Sequence, residues 1–268
     1  MHSRPGFFRW SASALLGLLP ALVAAPAAAQ SLEAVRVAAP ELLIPAPYAD
    51  PESAIRLASK LEERDPESVE LRLVVAREAT ALGLLSGSPE ERDAWLVRSE
   101  GAAREAVALR PEEADANYWL AAALGLRADV AGGRSKITLA REAYEVAQHT
   151  LELDSLHAGA NHIVGRLHAG AKRLSWLNRM IARALGLGEI LGEASWESAE
   201  RHMRIAAERE PDELVHLHDL GKLLLEQRLD VEQGRAILQD VAGRSPRHDL
   251  DALYIGLSRE ALSELSDR

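Results

Sequence analysis

Five stretches recur along this chain, each closing a helix-like segment with proline or a capping residue. They span 61–66, 107–111, 151–155, 207–211 and 242–246. Helical units that end this regularly cannot each bury an apolar face alone, so they must stack on one another. Counting back from the ends, small residues fall where the two helices of a unit come close: Ala54 and Ala58, Ala103 and Ala106, Ala143 and Ala147, Ala199 and Ala206. The preceding helices supply Leu120-Ala121, Val164-Gly165 and Leu220-Gly221 to the same contacts. A larger side chain there would push the pair apart. No alternating β-branched run and no Asn-Gly or Asp-Gly turn argues for strands.

This is the pattern of tetratricopeptide repeats, and it predicts an all-α, tetratricopeptide-like helical solenoid of four to five units with a C-terminal capping helix. The cap is read at 250–268, with Leu253, Leu257, Leu262 and Leu265 along one side and Asp251, Arg259, Glu260 and Glu264 outside. The spacing of the unit ends Pro66, Pro111, Ser155, Pro211 and Pro246 exceeds the usual ~34 residues everywhere except in the last unit. The excess is expected between the helices of a unit, at 85–91, 128–135 and 179–192.

The N-terminus reads as a separate part. His2, Arg4 and Arg9 precede an uncharged run from Ala12 to Ala25, and Ala27-Ala28-Ala29 precedes Gln30. That is the plan of a secretory signal peptide over 1–29, and the apolar run, interrupted by Pro20, is too short to span a bilayer. Residues 30–51, with Pro40, Pro45, Pro47 and Pro51, read as an extended linker, and 52–268 as the solenoid domain. Asp50-Pro51-Glu52 supplies an N-cap, an N1 proline and an acidic first turn. The expected location is periplasmic or secreted, without a membrane anchor. With no cysteine, the chain forms neither disulfides nor thiolate metal sites. A net charge of −10 argues against nucleic acid as a partner.

One segment departs from the acidic background. Between Asp154 and Glu189 no acid occurs, while Arg166, Lys172, Arg173, Arg179, Arg183, His157, His162 and His168 do. Read as one helix with Lys172 at zero, Arg179 falls near about 340° and Arg183 near about 20°. Leu174, Leu177, Ile181 and Leu185 then lie opposite, and Trp176 sits beside the basic stripe. Such a helix is either a solvated face over a core, or a site for an anionic protein segment or lipid headgroup. Turned into a groove, Met180, Ile181, Leu185, Leu187, Ile190 and Leu191 could line an acyl pocket. Tyr118, Trp119 and Tyr144 read mainly as fillers between helices, and otherwise as groove-lining anchors.

Motifs for chemistry are missing. His162 and His168 are six apart, not at the i, i+4 spacing of a helical metal pair, so no metal is expected. Gly186-Leu187-Gly188-Glu189-Ile190-Leu191-Gly192 has its last glycine one residue late for a dinucleotide loop, and no strand precedes it. No nucleophile elbow, phosphate loop or calcium loop occurs, so the chain is expected to be no enzyme and to need no cofactor.

The run from His157 to His168, HAGANHIVGRLH, followed by Leu174-Ser175-Trp176, an insertion and Ala194-Ser195-Trp196-Glu197, resembles the regulator of microtubule dynamics family of tetratricopeptide proteins. The resemblance covers 52–268. It implies a helical solenoid used for protein or membrane-linked interactions, without enzymatic activity. The functional expectation is therefore a non-catalytic adaptor binding a protein or peptide partner in its concave groove. Its candidate contacts are Asn117, Asn161, His162, Arg166, Lys172, Arg173, Trp176, Arg179 and Arg183. The alternative is a lipid- or membrane-surface-binding protein using the basic amphipathic insertion at 166–191.

Overall fold

Asp50 opens the first helix as the spacing predicts: its carboxylate accepts the Ser53 N–H at 3.1 Å, with Pro51 in the first turn. The computed structural model describes residues 45–227 and 230–266, all within one compact unit, Glu41–Arg268. The leader read at 1–29 and the linker up to residue 44 lie outside the described residues.

Among the described residues there are twelve helices and no strand. They are α1 (Pro51–Glu62), α2 (Val69–Leu85), α3 (Pro89–Leu109), α4 (Ala114–Val130), α5 (Gly133–Leu153), α6 (Ala158–Arg173), α7 (Trp176–Ala184), α8 (Gly188–Glu193), α9 (Trp196–Arg209), α10 (Leu214–Glu226), α11 (Val231–Gly243) and α12 (Asp249–Ser266). The helices pack as antiparallel pairs: α2 with α3, α4 with α5, α6 with α9, and α10 with α11. Helix α1 precedes the first full pair and α12 follows the last.

The small residues sit at the close approaches. Ala58, Ala103, Ala106, Ala143, Ala147, Ala199 and Ala206 are fully enclosed. A Cβ on Gly165 would lie 2.8 Å from Met203 Cγ and 3.1 Å from the Ala199 carbonyl oxygen. On Gly221 it would lie 2.9 Å from Leu238 Cγ. Glycine is what lets α6 meet α9, and α10 meet α11, at these distances.

The extra length is not where the spacing placed it in two of three cases. Helices α3 and α5 each run 21 residues, and only residues 86–88 and 131–132 separate them from their partners. Pro89 starts α3 at a position that needs no N–H, while Gly133, at φ 57°, turns the chain directly into α5. The third case holds: α7 and α8 are inserted between α6 and α9. The helix read as continuous through 172–185 is, however, broken. Leu174 is extended, and the Ser175 hydroxyl caps α7 by accepting the Asn178 N–H at 3.3 Å.

The C-terminal helix also differs from its reading. Asp251, Ile255 and Ser258 are buried and Leu257 is exposed. Asp251 is drawn inward because it accepts the Arg247 N–H at 2.9 Å and pairs with the Arg247 guanidinium at 2.8 Å. Helix α12 packs on α10 and α11 and also reaches α2, so the array of helices closes into a ring. Tyr48 completes the closure: its N–H donates to the Glu78 carboxylate of α2 at 3.2 Å, and its ring lies 4.9 Å from that of His248.

Candidate functional site

The first helices of the pairs, α2, α4, α6 and α10, together with α12, face inward around a cavity of about 1840 Å³. Its two sides differ in chemistry. Under the insertion the wall is aliphatic and aromatic, with Trp119, Ile137, Leu167, Leu174, Leu185 and Leu187. Ala182, Leu187, Ile190 and Leu191 of the insertion belong to the same core cluster as Tyr144 and Val164. Toward α10 and α12 the wall is polar.

The polar side is a set of pairs that join different repeats. Asp129 of α4 accepts from Arg166 of α6 at 2.9 Å, and the Arg166 Nε lies 3.6 Å from Asp219 of α10. His162, one turn before Arg166, bonds Asp219 at 2.9 Å. Nearby, His157 meets Asp115 at 3.1 Å, His216 meets Glu210 at 3.2 Å, and Arg173 donates to Glu226 at 3.0 Å. Burial alone would raise the Asp219 carboxyl, but Arg166 and the His162 hydrogen bond hold it well below the usual carboxylate range. Burial lowers His162 to about 4 despite Asp219, so its imidazole is neutral at pH 7.

The acid-free island is thus local in sequence only. Acids from α4 and α10 fill in around the cations of α6, because a superhelix brings residues about 40–60 positions apart into register. The cations of this ledge are all paired, and its carboxylates outnumber them.

His216 adds a polar group of another kind. Its ring lies 4.7 Å from that of His162, and its buried Nδ1 has no hydrogen-bond partner among the described residues. With Nε2–H donating to Glu210, the ring is held in place while Nδ1 is enclosed by its neighbours.

Of the residues expected from sequence to bind, His162, Arg166 and Arg173 line the cavity. Asn117 and Asn161 do not. Asn117 Nδ2 donates to the Pro111 and Glu113 carbonyls at 2.7 and 2.9 Å. Asn161 Nδ2 donates to those of Ser155 and His157 at 3.2 and 3.0 Å, and its Oδ1 accepts from His202 at 2.8 Å. Both amides are buried and tie the preceding turn to the start of a first helix. Lys172, Trp176 and Arg183 lie outside the cavity wall, and Arg179 donates to the Ala171 carbonyl at 3.2 Å.

Asp115, Asp129, Asp219, Lys222 and Tyr254 also line the cavity, and the sequence reading does not single them out as contacts; Tyr118, read mainly as a filler and otherwise as a groove-lining anchor, lines it too. A signal exists: Arg77, Arg166 and Lys222 each fall eight residues into a first helix, and Tyr118 and His162 four residues in. Those positions share one helix face.

A protein-family model described as "Regulator of microtubule dynamics protein 1-3" matches residues 45–264. The crystal structure of a thermophilic TPR protein from Thermus thermophilus superposes with a TM-score of 0.53 at 18% identity, covering 85% of this chain and 97% of that one. Among curated proteins, none matches. No helix among the described residues is long and apolar enough to cross a membrane.

Proposed function

The chain belongs to the regulator of microtubule dynamics family, and from that footing we propose that it is a non-catalytic scaffold whose ring of first helices holds an extended peptide segment of a protein partner. The observation that carries this reading is the cavity. At about 1840 Å³ it exceeds the roughly 300–1,000 Å³ of small-molecule sites and has an aliphatic side facing a polar ledge. A peptide presents both surfaces, apolar side chains for the insertion side and main-chain polar groups for the polar ledge. Because the ledge cations are already paired, recognition rests on apolar contacts and main-chain hydrogen bonds, and an acidic partner is not required. The leader read at 1–29 supports a periplasmic or secreted setting.

Gly170 provides the test. It lines the cavity on α6, and a Cβ there meets nothing within 4 Å, so Gly170→Trp sets a bulky ring at the cavity wall from an unobstructed position. Native mass spectrometry of the protein recovered from its host should show a bound polypeptide in the wild type and none in the variant. Equal occupancy of both would move the binding site elsewhere. A second reading, an acyl chain seated against Leu174, Leu185 and Leu187, is favoured by the continuous aliphatic side. It is identified in the same spectra by a bound mass that fragments as lipid.

A further inference from the structure

Helix α7 turns its apolar side outward. Trp176, Leu177, Met180 and Ile181 are 75%, 57%, 54% and 47% exposed, so the largest hydrophobic side chains of this nine-residue helix all meet solvent, while the small Ala182 faces the core. With Trp176 at zero, they span an arc of about 140°, and Arg183 stands at its edge near about 340°.

A second acid-free stretch converges on this helix. Residues 130–141 contain Arg134, Lys136 and Arg141 and no carboxylate. Ile137 packs on the cluster that holds Ala182 and Leu187, and the Arg141 guanidinium lies 3.2 Å from where a Gly186 Cβ would be. Arg134 and Lys136 line the cavity together with Asn178 and Ile181. Unlike the paired cations of the ledge, Arg134, Lys136 and Arg183 have no ion-pair partner among the described residues. The edge therefore combines an outward apolar arc, an exposed indole and unpaired cations on a chain whose net charge is −10.

We propose that this edge, α7 with the N-terminal half of α5, docks the protein onto an anionic phospholipid bilayer surface. The arc enters the headgroup region, Trp176 sits at the interface, and Arg134, Lys136 and Arg183 face the lipid phosphates. The acidic remainder of the molecule is repelled from such a surface, which leaves one orientation of approach. A second copy of the chain fits the edge less well. Two nine-residue arcs would bury a few hundred Å², short of the ~1,000 Å² of a stable interface, and would set the unpaired cations of both copies against one another. Trp176, Leu177, Met180 and Arg183 lie outside the cavity, whereas Ile181, Arg134 and Lys136 also line it, so the Leu177/Met180 variant is the one that separates this inference from what fills the cavity.

The test uses protein recovered from its host and flotation with phosphatidylcholine vesicles, with and without about 30 mol% phosphatidylglycerol, at about 0.1 M salt. The wild type should float with the anionic vesicles only and be released by added salt. Lys136→Glu with Arg183→Glu should lower partitioning at least about tenfold. Leu177→Ser with Met180→Ser, at positions already facing solvent, should do the same while the helical circular dichroism stays unchanged. Absence of wild-type binding, or binding unchanged in both double variants, overturns the proposal. So does a concentration-dependent dimer, seen by light scattering without vesicles, that the Leu177/Met180 variant abolishes.

Discussion

Two glycines of one helix should respond to alanine with opposite signs. At Gly170 a methyl meets nothing within 4 Å, so Gly170→Ala only removes glycine's entropic cost in a helix interior, a gain of about 0.5–1 kcal/mol. At Gly165 the same gain is available, but the new Cβ would sit 2.8 Å from Met203 Cγ, 3.1 Å from the Ala199 oxygen and 3.2 Å from the Met203 nitrogen. Two of those three atoms are main chain of α9, so the helices must separate by several tenths of an ångström. Overpacking of this kind costs about 1–3 kcal/mol, which leaves Gly165→Ala destabilised by up to about 2 kcal/mol and the two variants about 1–3 kcal/mol apart. For a chain of this size that separates their melting midpoints by roughly 2–12 °C, readable by circular dichroism in the helical band. If both substitutions raise the midpoint, α6 and α9 do not approach as described and the Gly-mediated contact is wrong.

Other outcomes follow from the buried polar groups. Stability should fall as the pH drops from about 6.5 toward 4, because burial lowers His162 and His202 to about 4 and the unfolded chain binds more protons across that window. His162 alone accounts for up to about 3 kcal/mol, so His162→Gln should flatten the pH dependence of urea unfolding. Asn161→Ala should cost about 1–3 kcal/mol by freeing the Ser155 and His157 carbonyls and His202, with ligand occupancy per folded molecule unchanged in native spectra. Asp219→Ala should destabilise by about 2 kcal/mol and lower His162 further in an NMR titration, since Asp219 is what favours its protonated form.

The helical pairs are legible in the sequence because their cause is local. Proline and capping residues end helices wherever they stand, and alanine or glycine at a close approach is dictated by the partner one helix away. The boundary at Leu174-Ser175 is harder to read. Ser175 looks like any polar residue until its hydroxyl is seen to cap, so the stripe from Lys172 to Arg183 reads as one helix where the chain forms two. The asparagines mislead for a related reason. Asn117 and Asn161 repeat at equivalent places, which suggests a shared binding role, yet the repeat reflects a shared turn that each must tie down. The pairing of Arg166 with Asp129 and Asp219 depends on curvature over three repeats, and no local pattern encodes that. Trp176 is exposed on a helix of its own, because α6 stops before it and the chain turns at Leu174.

The junction of Tyr48 and α12 with α2 changes how the whole array should come apart. In an open repeat array each unit is held by its neighbours, so the ends fray first and loss spreads inward one interface at a time. Here the last helix holds the second, and Tyr48, just ahead of the first, reaches His248 at the start of the last, so the array is tied end to end. Fraying must begin by breaking a contact between residues about 200 positions apart, whose closure is the slowest to re-form. Hydrogen exchange at the two extremities should accordingly rise and fall together, as one lock with its halves at opposite ends of the polypeptide.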